Sequence, residues 1–209
     1  MIVTLETWKR IARLGHAASD DPDRPVLHGI HLTVKGVLMT GTATDSYVLA
    51  TNEVMFTREK DDPKTWEGLL HGRQAILVEK DVRSLELYRS KKDHPDSSLH
   101  LRVTIADDWV DVTLADDGSM FDVESITRRL DPINGTFPEF GTLLDDPIEG
   151  GPSAVWVNPE KLTQVAKTVA EDSWPIRFHV QPGRSPVHCT VLSEPSWRGL
   201  VMPVSAVEE

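Results

Sequence analysis

"IVTLETWKRIARL", residues 2–14, holds a strand and a helix in one short run. Ile2 and Val3 are apolar, Thr4 is a polar cap, and the residues that follow change period. Leu5, Trp8, Ile11, Ala12 and Gly15 recur at spacings of three and four, which places them on one helical face. The chain repeats this device twice, as "AILVEKDVRSLEL" from Ala75 and "AVWVNPEKLTQVAK" from Ala154. Val82 and Leu85 begin the same stripe in the second copy. In the third, Leu162, Val165, Ala166 and Val169 continue it, and Asn158-Pro159 supplies an N-cap with proline at the first helical position.

Alternating strands follow each helix. "LHLRVTIA" (99–106) sets Leu99, Leu101, Val103 and Ile105 against His100, Arg102 and Thr104, and "WVDVTL" (109–114) does the same. "IRFHV" (176–180) and "VHCTV" (187–191) alternate likewise, which puts Cys189 among the buried positions. The unit is therefore strand-helix-strand-strand-strand, present over about 1–58, 74–127 and 153–204, with a Pro/Gly/Asp-rich connector at 131–152. The period is too long for a solenoid. The expected class is α+β, with antiparallel sheets made by pairing whole modules. Between two strands of the first module, "TATDSYVLA" (42–50) reads as a hairpin, because Asp and Ser bond their own backbone at reversals.

The 209 residues suffice for one large domain or two small ones, and 39% hydrophobic with 26% charged residues is ordinary for a soluble protein. Charges interrupt every apolar run, so no membrane span is expected, and the N-terminus lacks the pattern of a signal peptide. A cytoplasmic location is the default expectation. The single cysteine excludes an internal disulfide and a cysteine-based zinc site.

A net charge of −11 opposes nucleic-acid binding by bulk attraction. The three helical segments nevertheless carry basic excess. Lys9, Arg10 and Arg13 stand against Glu6 in the first. In the second, Lys80, Arg83, Arg89, Lys91 and Lys92 stand against Glu79, Asp81 and Glu86. Lys161 and Lys167 stand against Glu160 in the third. The plain alternative is that Lys and Arg are good helix formers on a solvated face.

Enzyme chemistry has no support. Neither phosphate-cradling glycine pattern occurs in context, and the eight histidines show no ligand spacing; His179 and His188 fall on polar faces of separate strands. Acidic clusters such as Asp20, Asp21 and Asp23, or Asp107, Asp108 and Asp111, sit at junctions where Asp is a turn former. No catalytic residue, metal site or cofactor is assigned.

Four segments, "RPVLHGIHL" (24–32), "TATDSYVLA" (42–50), "INGTFPEF" (133–140) and "RGLVMPV" (198–204), occur in the order seen in bacterial DNA polymerase III beta subunits. The sequence resembles that sliding-clamp family, whose own segments read like Thr-Asp-Gly-x-Arg-Leu-Ala, Gly-x-Phe-Pro-Asp-Tyr and Val-Met-Pro-Met-Arg-Leu. The resemblance implies that residues 1–140 form a complete clamp domain of two modules (about 1–58 and 74–127). It makes 141–152 a linker and 153–209 a third module that ends in a partner-binding segment. The family's first domain and half its third have no counterpart, as in a shortened clamp of the kind a bacteriophage could encode.

By the same resemblance, the basic helices line a hole around duplex DNA and touch phosphates without base readout. The DNA-facing residues are then Lys9, Arg10, Arg13, Lys80, Arg83, Lys91, Lys92, Lys161 and Lys167. A cleft for short peptides of polymerase, clamp loader and other clients uses Leu27, Thr44, Asp45, Ser46, Tyr47, Val48 and Leu49. Its other wall uses Leu200, Val201, Met202, Pro203 and Val204. Ser46 stands where the family has glycine, Val48 where it has arginine, and Ser205 where it usually has a C-terminal arginine. Rings of that family contain a dozen modules, so four chains of three would close one as a homo-oligomer. Two other readings are a clamp-like interaction module that does not encircle DNA, and a metal enzyme built on the Asp clusters.

Overall fold

The computed structural model describes residues 1–57, 74–78, 99–106, 108–116, 126–144, 154–169, 171, 173–180 and 185–205. In the first module β1 (Ile2–Thr4) runs straight into α1 (Leu5–Ala12), which a 3-10 turn extends over Arg13–Ala17. The junction is fixed by Thr4, whose Oγ1 accepts the Thr7 amide at 3.0 Å and satisfies one orphan donor of the helix. Leu5, Trp8, Ile11 and Ala12 are buried, as their spacing predicts. Strands β2 (Gly29–Lys35), β3 (Leu38–Thr44) and β4 (Val48–Met55) follow as a meander.

The second module supplies β5 (Gln74–Val78), β6 (Leu99–Ile105), β7 (Val110–Asp116) and β8 (Ile126–Leu130). The helix expected after β5, with Lys80, Arg83, Lys91 and Lys92, lies outside the described residues. In the third module α2 (Pro159–Ala166) is capped by Asn158, whose Oδ1 accepts the Glu160 amide at 2.8 Å. Strands β9 (Ile176–His179), β10 (Val187–Val191) and β11 (Glu194–Val201) complete it.

All strand pairs are antiparallel and build two sheets, ordered β1-β6-β7-β8 and β5-β2-β3-β4-β11-β10-β9. The order shows how modules join. The first two exchange their opening strands, since β1 pairs with β6 and β5 with β2. The first and third meet through their last strands, β4 and β11. Helices α1 and α2 both pack on β4, so they lie on one face of the seven-stranded sheet, and that face carries the core. Close approach there requires glycine. A Cβ on Gly41 would sit 2.9 Å from Leu14 Cδ1, and one on Gly199 would sit 2.7 Å from Val165 Cγ2.

One element departs from expectation. "AVWV" before α2 is not a strand; it makes an isolated bridge, Val157 to Pro203, and its Trp156 carbonyl accepts the Val204 amide at 2.8 Å. The equivalent runs in the other modules are strands because each lies on the second strand of a neighbouring module. This run has no such neighbour among the described residues. The 141–152 connector also begins with a 3-10 turn, Gly141–Leu144.

Candidate partner-binding site

The reversal after β3 is held by a single carboxylate. Asp45 Oδ1 accepts the amides of Tyr47 and Val48, each at 2.8 Å, while Oδ2 accepts Lys161 Nζ at 2.5 Å. The Asp45 side chain is only 6% exposed, so the cation from α2 neutralises a nearly buried charge. Lys161 also sits 5.6 Å from the centre of the Tyr47 ring, within cation–π range. Ser46 takes φ 81°, the left-handed region where glycine carries no steric penalty. Its hydroxyl accepts Arg24 Nη1 at 2.8 Å, a contact that glycine could not make.

The C-terminal wall is adjacent. β11 lies on β4 with Val201 opposite Val48 and Leu200 opposite Leu49, and the Met202 amide donates to the Tyr47 carbonyl at 2.8 Å. The two walls drawn from distant sequence are therefore hydrogen-bonded neighbours. Segment 133–140 packs on Leu27 and on β2. Phe137 packs on Leu27 and stacks on His31 at 4.7 Å between ring centroids, and Phe140 meets Phe137 edge-on. Arg198 Nη1 donates to the Leu144 carbonyl at 2.9 Å. Four segments spread along the chain thus gather in one region.

Burial sorts the expected site residues into two groups. Leu27, Thr44, Asp45, Val48, Leu49, Leu200 and Val201 are buried and form the frame. Ser46, Tyr47, Met202 and Val204 are exposed, and Pro203 is half-buried. Tyr47, Met202 and Val204 are large apolar groups at the surface, and Trp156, 68% exposed, joins them through its backbone bond to Val204. Trp156 was not among the residues expected from sequence. Its signal was present as a tryptophan in an apolar run directly before the Asn158-Pro159 cap. Beside this surface runs a groove of about 990 Å³ between the first helical segment and α2. Its lining is largely polar, including His16, Arg24, His28, Asp45, Lys161 and Lys167.

The basic residues expected to face DNA have varied surroundings. Lys9 is 4.0 Å from Glu6, and Arg13 Nη1 donates to the Val169 carbonyl at 2.8 Å. Arg10 lies 3.6 Å from Glu194, a carboxylate only 1% exposed that also accepts Asn52 Nδ2 at 2.8 Å. The Arg10–Glu194–Asn52 cluster joins α1, β4 and β11, so it ties the third module to the first. Lys161 serves the Asp45 loop, and Lys167 is exposed in the groove.

Of the acidic residues noted in the sequence, Asp107 lies outside the described residues. No cluster of three or more His, Cys, Asp or Glu able to hold a metal occurs among the described residues. His179 and His188, expected on the polar faces of separate strands, are direct partners across β9 and β10; His188 is buried and His179 bonds Thr190 Oγ1 at 3.0 Å. Adjacent antiparallel strands bring their residues into register, which spacing along one strand cannot reveal. Asp111 is paired with Arg129 through two bonds of 2.8 and 2.9 Å, and that guanidinium holds its carboxyl below the usual range. Burial pushes the Cys189 thiol up to about 12, as a structural core position demands. No helix among the described residues is long and apolar enough to cross a membrane.

No protein-family model and no curated protein matches the sequence. Solved structures do. The DNA polymerase III beta subunit of Thermotoga maritima superimposes with a TM-score of 0.72 at 12% identity, over 99% of this chain and 65% of that one. The beta subunit from Streptococcus pyogenes gives 0.71 at 15% identity, over 99% and 66%. The DNA polymerase sliding clamp of Pseudomonas aeruginosa gives 0.68 at 14% identity, over 98% and 65%. The chain therefore spans about two thirds of the length of the clamps it matches. With its exchanged strands, paired last strands and helices on one sheet face, this chain has the fold of the DNA polymerase III beta subunits, the sliding clamps.

Proposed function

We propose that the chain is a sliding clamp: a ring-forming protein that encircles duplex DNA and tethers polymerase and other clients by short peptides. The carrying observation is the convergence of the Asp45 loop and the C-terminal strand into one apolar surface, on a clamp fold that covers nearly the whole chain. Helices α1 and α2 share one sheet face, as a helix-lined hole requires. On this reading residues 1–140 form a two-module unit, 153–209 a third module, and four chains close the ring. Polymerase and a clamp loader are the clients, and the protein itself catalyses nothing.

Tyr47, Met202, Val204 and Trp156 offer anchors for a peptide's leucine or aromatic side chains, over a frame that Asp45 and Lys161 hold rigid. Tyr47→Ala and Met202→Ala are each expected to weaken a short polymerase-derived peptide by about 1–3 kcal/mol, roughly 5- to 150-fold in Kd. Fluorescence anisotropy with a labelled peptide measures this. Equal affinity in the wild type and both variants would place the client surface elsewhere.

A second reading, a clamp-like module that binds replication proteins without encircling DNA, is favoured by one observation. Lys9, Arg10, Arg13 and Lys161 all have partners within the chain, and the net charge is −11. The two readings differ in whether retention on DNA needs closed ends.

A further inference from the structure

Each module has two edges, and within the chain each kind of edge is closed in its own way. One is closed by an exchanged opening strand: Val3 lies opposite Leu101, and Leu77 opposite Ile30. The other is closed by a last strand, as β4 and β11 close one another. The third module has used its last strand. Its exchange edge, the outer side of β9, carries no strand among the described residues, because β9 pairs only with β10. Its own opening run, 154–157, has among the described residues only the bridge at Val157 and the bond at Trp156.

Side chains report the same vacancy. At the closed exchange edges Val3, Leu77, Ile30 and Leu101 are at most 2% exposed. Phe178 on β9 lies opposite Cys189, which is fully buried, so it points to the core face. Yet Phe178 is 46% exposed, and Ile176, Val155 and Val157 are only half-buried. A core-facing edge in this state is an association surface.

We propose that a second copy of this chain closes the edge. Each third module lays its 154–157 run along the partner copy's β9, in a two-fold exchange that repeats the β1–β6 and β5–β2 pairings. The occupant follows from the chain: the third module holds both halves of an exchange, donor run and acceptor strand. One two-fold axis satisfies both at once. Charge permits it, since the donor run is uncharged and β9 carries only Arg177 among Lys, Arg, Asp and Glu. The inference deepens the ring reading above and takes its purpose from it, though its evidence is the strand exchange alone.

Light scattering at micromolar concentration tests it. The wild type is expected at an even multiple of 23.3 kDa. Phe178→Glu and Val155→Glu each place a carboxylate on the exchanged face and are expected to reduce that mass at least twofold. Their circular dichroism stays that of the wild type. Leu192→Glu, at a turn residue that is 90% exposed, leaves the mass unchanged. A wild-type mass of one chain, or of any odd number of chains, would overturn the exchange, as would full-size assemblies from both glutamate variants. Peptide affinity at the Tyr47 surface is unaffected in Phe178→Glu, which separates this inference from the client reading.

Discussion

Trp197→Ala is expected to lower the unfolding free energy by about 3–5 kcal/mol, the range for deleting a fully buried aromatic side chain. Trp197 is 0% exposed and sits on β11 beneath α2, where the Gly199–Val165 approach leaves no room for collapse by rearrangement. Its Nε1 donates to Thr168 Oγ1 at 3.1 Å, and that hydroxyl donates to the Val165 carbonyl at 2.6 Å. Removing the indole leaves Thr168 with one partner, so most of the loss comes from the cavity. Trp197→Phe keeps most of the volume and loses one hydrogen bond, and is expected to cost about 1–2 kcal/mol. Urea unfolding separates the two. A loss below about 1 kcal/mol for the alanine variant would mean that α2 and β11 do not pack as described.

Asp45→Ala is expected to remove about 2–4 kcal/mol of stability and most peptide affinity together, because a buried charge-assisted cluster is lost. The carboxylate holds both amides of the reversal and the cation of α2. Lys161 has Gln164 Oε1 at 3.1 Å and is 26% exposed, so its charge is not stranded, which keeps the loss below that of a fully buried pair. Asp45→Asn retains the acceptor for the two amides and loses only the ion pair. It is expected to keep the turn and lose the smaller part of affinity. Denaturation and peptide titration on both variants check this. A peptide Kd unchanged in Asp45→Ala would show that the loop does not shape the client surface.

Single elements were legible where they are written locally. The change of period at Thr4 and Asn158, the cap residues themselves and the alternation in 99–106 need no distant partner to be read. The pairing between modules was not legible: that β1 lies on β6, and β11 on β4, depends on contacts far apart in sequence. The same limit explains the 154–157 run. Its composition is that of a strand, yet a strand exists only beside another, and among the described residues this run has only the bridge to Pro203. For the candidate site, the resemblance named two distant segments, and the structure shows them hydrogen-bonded to one another. It could not separate frame from surface, because Tyr47, Val48 and Leu49 are consecutive apolar residues, and only the folded chain covers Val48 and Leu49 while leaving Tyr47 exposed. Nor could spacing show that Arg10 faces Glu194 or that Lys161 reaches Asp45. Those are long-range partners that a count of helical charge cannot see.

The central claim is topological attachment to DNA, and order of addition to a linear duplex with biotin at both ends tests it most directly. Protein given open ends and then trapped by streptavidin is expected to stay on the duplex through gel filtration at moderate salt, and to leave when the duplex is cut. Protein added after both ends are capped is expected to be excluded. Equal retention in the two orders, or none in either, would contradict a ring threaded on DNA.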